Sequence, residues 1–464
     1  MKLKTFVYLL LCFYITSCSV SGVEEPVTVT YSIAGHIIDS IGNPIDGVQL
    51  FYGKNKYTTS DFNGQWSISN LVGKINIKPK KENYIFNTAE IEVTKTDTNI
   101  FIIATNNNPI TEEILDYQET LNWLQNMQLA NGLLESAENT NFVSLYDNAL
   151  TALVFIQQEE YKKAEKIFDY FNANIHTELL NNTGGFYQFR NKKGENGSRT
   201  WMGDNAWLLI ALNHYHDALE NQKYQSLTTE LEKWLRSLQD TDGGIWGGYK
   251  ENGERIHKVT EGIITAFNAV KGYDDFHKNI IRYLKENRWS TNEKLLVAWP
   301  ENPAYYFAMD LHPLGYGVFE DYPEYSLEQA NKYLNTQTAT LTGKPVTGYC
   351  FDEDKDVVWL EGNGQMAVAY AMAKNVVQKE VILKEIEKTL IKSTLHENSK
   401  GIPYATNLGT GFGTSLLWDH APTTPAISST AWYIFAKMSF NPLEMGRQKN
   451  IPEKDKFWMQ DLNN

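Results

Sequence analysis

One pattern recurs along the chain: a loop rich in glycine and aromatic residues, then an acidic residue, then a nearly apolar run of helical length. It reads Ser144–Leu–Tyr–Asp147–Asn–Ala–Leu150, Gly203–Asp204–Asn–Ala–Trp207, Thr260–Glu261–Gly–Ile–Ile264, Asp310–Leu–His–Pro–Leu314 and Trp359–Leu–Glu361–Gly–Asn363. Asp147 and Asp204 lie 57 positions apart, and so do Asp204 and Glu261, which makes the pattern an internal repeat. The loops ahead of the acids include Gly184–Gly–Phe–Tyr–Gln–Phe189, Gly243–Gly–Ile–Trp–Gly–Gly–Tyr249 and Val297–Ala–Trp–Pro–Glu–Asn302. A sixth copy runs from Gly401–Ile–Pro–Tyr404 to a helix after Thr424 that carries no acid.

The runs after the acids, such as Ala206 to Leu212, are apolar on every side and belong inside. Those that follow, such as Glu160 to Tyr170 or Leu383 to Leu390, are amphipathic and belong outside. Each unit is thus an inner helix followed by an outer one. The fold expected over residues 111–440 is a mainly α (α/α)6 barrel of six helical hairpins.

With all inner helices parallel, Asp147, Asp204, Glu261, Asp310 and Glu361 converge on one bowl. Helix starts favour acidic N-caps, which accounts for Asp147 and Asp204 equally well. Glu261 is explained less well, because Thr260 is the better cap, and Glu361 has no evident capping role. Paired carboxylates are what glycosidic cleavage requires, one protonated to serve the leaving oxygen and one ionised to activate water or stabilise charge. Asp204, Glu261 and Glu361 form the expected acid/base set, with Asp147 next. Tyr146, Trp201, Trp207, Trp246, Tyr249, His257, Trp299, Asp310, His312, Trp359, Trp418 and His420 are the expected sugar contacts, since aromatic faces stack on sugar rings. The sequence implies no cofactor and no metal: the histidines are scattered, and Asp352–Glu–Asp–Lys–Asp356 lacks the glycine and terminal glutamate of a calcium loop. Ser144 and Ser415 lack a nucleophile elbow, and Gly409–Thr–Gly–Phe–Gly413 is no phosphate loop.

The formal charge of -14 argues against nucleic acid as a partner. A poly- or oligosaccharide substrate and a monomeric protein are expected. Lys2 and Lys4 followed by an apolar run from Phe6 to Tyr14 form an export signal over residues 1–17. Ile15–Thr–Ser–Cys18 resembles the lipobox of bacterial lipoproteins, which implies lipidation of Cys18 and a membrane anchor, with the outer membrane as the expected location. Cys350 is then the remaining free thiol, read as a small buried hydrophobe. Residues 18–28 are a tether.

From 29 to 105 the pattern becomes period-two alternation with Gly/Asn/Asp turns, a small antiparallel β-sandwich. The order Gly35, Asp39, Gly42–Asn–Pro–Ile–Asp–Gly–Val48, Thr59–Ser–Asp61, Gly64 resembles carboxypeptidase regulatory-like domains and implies a spacer role. Residues 106–110 are a linker and 441–464 a polar C-terminal tail.

Residues 111–440 resemble the six-hairpin glycosidase superfamily through Tyr146–Asp–Asn148, Gly203–Asp–Asn–Ala–Trp207 and Gly243–Gly–Ile–Trp–Gly–Gly248. The resemblance implies a carbohydrate-active enzyme with its site in the bowl. In unsaturated glucuronyl hydrolases of that superfamily two aspartates on neighbouring inner helices act, corresponding in type to Asp147 and Asp204; the extra rim acids depart from that pattern. Gln239–Asp–Thr–Asp–Gly–Gly–Ile–Trp246 resembles a terpene cyclase repeat, whose acid-rich prenyl motifs are not found here. The leading expectation is a glycoside hydrolase. A lyase or epimerase would instead use Tyr146, His257 and Arg199, and a non-catalytic glycan-binding lipoprotein would use the aromatics alone.

Overall fold

The structure is a computed structural model that describes residues 29–39, 42–82, 84–88, 90–106 and 116–460. The segment read as an export signal and tether, with Cys18, and residues 107–115 and 461–464 lie outside the described residues. Two compact units result, divided after Ile114.

The first unit packs two four-stranded sheets from β1 (Tyr31–Ile38), β2 (Gln49–Gly53), β3 (Lys56–Thr59), β4 (Gln65–Leu71), β5 (Ile75–Lys80), β6 (Tyr84–Phe86), β7 (Ile91–Val93) and β8 (Asp97–Asn106). Their orders are β4-β1-β8-β6 and β3-β2-β5-β7. Alternation turns Ile33, Ile37, Trp66, Ile68 and Ile102 into one core. The pairing departs from a purely antiparallel sandwich at β1 and β8, which run parallel. Gly35 is required there, because a Cβ would stand 2.0 Å from the Ile100 carbonyl oxygen.

The second unit is the (α/α)6 barrel. In chain order its helices are α1 (Gln118–Asn126), α2 (Leu145–Gln157), α3 (Tyr161–Ala173), α4 (Met202–Leu219), α5 (Gln225–Ser237), α6 (Thr260–Ala269), α7 (Asp275–Asn287), α8 (Leu311–Val318), α9 (Tyr325–Gln329), α10 (Leu360–Met372), α11 (Val376–Glu387) and α12 (Ile427–Met438). Even-numbered helices from α2 to α12 pack side by side into a closed inner ring. Met202 to Asn213 of α4 is buried without a break, which is why its sequence shows no polar face. Outer helices bury one stripe, as α5 does with Leu227, Leu231, Trp234 and Leu235.

Two features differ from the sequence expectation. The outer helices packed against α12 are α11 and α1, so the ring closes with the start of the barrel rather than with a helix after α12. And residues 441–460 are no loose polar tail. Asn441 Nδ2 donates to the Gly317 carbonyl at 3.0 Å and Arg447 Nη1 to that of Tyr316 at 2.6 Å. Leu443, Ile451, Phe457 and Trp458 are buried. The polar residues that dominate the composition here satisfy carbonyls at the C-terminal ends of the inner helices.

Candidate active site

The N-termini of the inner helices open into one cavity of about 610 Å³ that is lined by Asp147, Asp204, Glu261, Asp310 and Glu361 together. None of these five acids caps its helix. The N-cap of α2 is Ser144, whose hydroxyl takes the Asp147 amide. Trp201, Val259 and Trp359 are the N-caps of α4, α6 and α10. Asp310 occupies the N-cap of α8 without a side-chain capping bond. Thr260, the better cap by composition, instead donates to the backbone carbonyls of Val297 and Ala298. The acids therefore stand in or at the first turn with their side chains turned to the bowl.

Their surroundings raise every one of their pKa values. Burial pushes Asp147 up to about 7, against one hydrogen bond from Ser136. Burial, with the Asp310 charge, takes Glu261 to about 7, and burial takes Asp310 to about 6. Glu361 is pushed by burial to about 8 despite hydrogen bonds with Tyr146 and Ser428. Asp204 is raised well above the usual carboxylate range by burial and then by the charges of Glu261 and Asp147. With midpoints of about 6 to 8 brought about chiefly by burial, these carboxyls can supply both protonated and ionised members near neutral pH.

Each acid has a distinct set of partners. Tyr146 Oη donates to Glu361 Oε1 at 2.7 Å and accepts from Trp432 Nε1 at 2.8 Å. Gln365 Nε2 donates to the same Glu361 oxygen at 3.3 Å. Thr265 Oγ1 donates to Glu261 Oε1 at 3.2 Å. Gln188 Nε2 reaches Asp204 Oδ1 at 3.4 Å, and its own oxygen is held by Arg199 Nε at 2.6 Å. Asp204 Oδ2 and Asp310 Oδ1 are buried without a protein partner. Such oxygens are where a reacting group can bond.

Of the expected sugar contacts, Tyr146, Trp207, Asp310, Trp359, Trp418 and His420 line the cavity. Tyr404, next to Trp418 at a ring-centroid distance of 4.8 Å, and Phe412 complete an aromatic wall. The other six expected contacts lie outside the lining. Trp201 is wedged against Gly203 and Gly247, where a Cβ would come within 2.8 Å of its ring. Trp246 is covered by Lys258 and Arg255, at 4.7 and 5.2 Å from its ring. Tyr249 pairs with Thr200 in a short strand, and His257 stacks on Trp299 at 3.5 Å. His312 is turned away from the bowl by helical geometry: its Nδ1 bonds the Ser326 carbonyl at 2.7 Å, and burial lowers its pKa to about 4.

Gln188, Gln365, Ser136, Ser428, Tyr404 and Phe412 were not legible as site residues. Gln365 carried a usable signal, four positions after Glu361 on the same helix face. Asp352, Asp354 and Asp356 do not face the bowl as a substrate loop: they accept hydrogen bonds from Gly413 and Thr410 and so fix the segment that carries Phe412. Among the described residues, no group of three or more His, Cys, Asp or Glu has a geometry that would hold a metal ion.

No protein-family model matches the chain, and no curated protein sequence does. Solved structures do. A novel alpha-amylase from Clostridium perfringens superimposes with a TM-score of 0.53 at 9% identity, covering 72% of this chain and 100% of that one. A D-mannose isomerase gives 0.51 at 11% identity, with 72% and 98% covered. The cellobiose 2-epimerase from Spirochaeta thermophila gives 0.50 at 13% identity, with 71% and 95% covered. Likeness at these identities defines the class by fold: a six-hairpin (α/α)6 barrel shared by carbohydrate-acting hydrolases, epimerases and isomerases.

Proposed function

We propose that the protein is a carbohydrate-active enzyme, and specifically a glycoside hydrolase working by carboxylate acid/base catalysis in the barrel bowl. The observation that carries this reading is the convergence of five raised carboxyls in a single aromatic-walled cavity. Asp204 is the proton donor: burial and the charges of Glu261 and Asp147 favour its protonated form, and its free Oδ2 is available to the glycosidic oxygen. Glu261, whose charge bears on Asp204, is the carboxylate that activates water or stabilises the cationic transition state. Asp310 loses its proton first and sets the field felt by Glu261. Asp147, on the inner helix beside that of Asp204, and Glu361 complete the ring of acids. The lipobox-like Ile15–Cys18 supports export and anchoring at Cys18, which palmitate labelling with a Cys18→Ala control tests.

A second reading, sugar epimerisation or isomerisation, is favoured by one residue. His420 lines the cavity, and burial lowers its pKa, so a neutral imidazole able to take a proton is in place. Incubation of residues 19–464 with a saccharide panel separates the readings. New reducing ends without new ultraviolet absorbance support hydrolysis. An epimer or ketose seen by NMR, with no rise in reducing ends from cleavage, overturns it.

A further inference from the structure

The bowl lacks positive charge. Among the described residues its lining holds five carboxyls and no lysine or arginine. Two basic side chains of the surrounding loops are engaged elsewhere, Lys258 Nζ on Asp240 and Asp242 at 2.7 Å and Arg288 on Glu301 at 3.0 Å. Arg199 stands outside the lining with its Nε on Gln188, and its charge offsets only part of what burial, Glu261 and Asp147 do to Asp204. His420 is held neutral by burial.

Three side-chain oxygens in the lining are buried and have no protein partner, Asp204 Oδ2, Asp310 Oδ1 and Gln365 Oε1; Asp204 and Gln365 are only 7% and 5% exposed. Gln365 is oriented by its Nε2 bond to Glu361, so its free oxygen can only accept. A donor on a bound ligand can reach it. Around the same space stand the rings of Trp359, Tyr404 and Trp418. An alkylammonium satisfies all three features, since it compensates carboxylate charge, donates up to three hydrogen bonds and binds aromatic faces. A uronate brings a further negative charge into a lining that holds no lysine or arginine, and is disfavoured.

We propose that the sugar bound in this bowl carries a protonated amino group. The inference rests on the glycan-processing reading of the same site and names its substrate class. The carboxyls held up by burial and mutual repulsion release protons when the ammonium arrives, because an opposite charge favours their ionised form.

Calorimetry on the Glu261→Gln protein at pH 6.5, which keeps Asp204 and Gln365, tests this with four oligosaccharides of one linkage: a free amino sugar, its N-acetylated form, the neutral sugar and the uronate. The expected result is binding of the free amine at least tenfold tighter than of the N-acetylated or neutral form, with no uronate binding. The heat for the amine should depend on the buffer, reporting proton release. Equal affinity for the neutral or N-acetylated form, or tighter binding of the uronate, overturns the charge inference and leaves hydrolysis standing if neutral glycans are cleaved. Absence of binding by all four, together with no cleavage of any saccharide by the unmodified protein, removes both.

Discussion

The phenol of Tyr146 on α2 donates to Glu361 on α10 at 2.7 Å, tying together two inner helices whose acids share the bowl. Trp432 of α12, the one inner helix without a rim acid, completes the relay by donating to the Tyr146 oxygen. The sixth unit thus contributes a tryptophan and a serine that hold the acid of another unit. Tyr146→Phe removes a hydrogen bond to a charged acceptor, worth roughly 1.5–3 kcal/mol. At about 1.36 kcal/mol per pKa unit, the Glu361 midpoint should rise from about 8 by about one pH unit or more. A titration followed on ¹³C-labelled carboxyls reads this directly, and an unmoved midpoint would show that the bond carries no weight.

Asp204→Asn should lower turnover by roughly 10²–10⁴-fold, the usual worth of a positioned general acid, with thermal stability kept. The unmodified enzyme should show a bell-shaped pH–rate profile. Its acid limb falls near pH 7, where Glu261 must lose its proton, and its alkaline limb follows loss of the Asp204 proton. Loss of the alkaline limb alone in the variant would support the assignment; an unchanged rate would remove Asp204 from the chemistry.

The same carboxyls bear on stability. Asp147, Asp310, Glu261 and Glu361 keep their protons to about 7, 6, 7 and 8 in the folded chain, above their values in the unfolded chain. As pH rises through roughly 4–8 the unfolded state therefore binds fewer protons than the folded one, and stability falls across that window. Glu361→Gln keeps an acceptor for Tyr146 but cannot ionise. Its melting temperature should exceed that of the parent by at least about 4 °C at pH 8 and match it at pH 4. A difference that stays constant with pH would refute the linkage.

The barrel and its bowl were legible because the repeat encodes both: apolar runs give the inner ring, and an acid at the same place in five of them gives the rim. Individual contacts were less so. His312 lies two positions past Asp310, and a helix turns that far through roughly 200°, which carries it to the opposite face. His257 and Trp299 satisfy each other by stacking, an arrangement that no local pattern reveals. Residues 441–460 read as a tail because their polar side chains bond distant backbone carbonyls, which sequence alone cannot pair.

That closing segment should matter to the whole domain. Trp458 is 1% exposed and packs on Phe319 and Phe457 at ring distances of 4.8 and 5.1 Å, with its Nε1 on the Glu320 carbonyl. Lys456, 3% exposed, bonds Glu320 and Asp321 beside it. Trp458→Ala should cost roughly 3–5 kcal/mol, the range for emptying a large buried aromatic site. Denaturant unfolding measures it; a loss below about 1 kcal/mol would mean that the segment only decorates the barrel.

Phe412 enters the bowl wall on a segment that has little regular structure of its own and is held from outside. Asp356 Oδ2 accepts from the Thr410 amide at 2.8 Å and from its hydroxyl at 3.0 Å, and Asp352 Oδ2 accepts from the Gly413 amide at 2.8 Å. Tyr305 supports the Phe412 ring at 5.0 Å. These carboxylates sit behind the wall, so removing one frees the segment without touching the acids. Asp356→Ala gives up two hydrogen bonds to a charged group, which on the scale of roughly 1.5–3 kcal/mol each leaves the 409–413 segment free to sample other positions. The ordering cost then falls on substrate binding. KM should rise about tenfold while kcat changes less than about twofold, because Asp204 and Glu261 keep their surroundings. A fall in kcat at constant KM would instead place this segment in the chemical step.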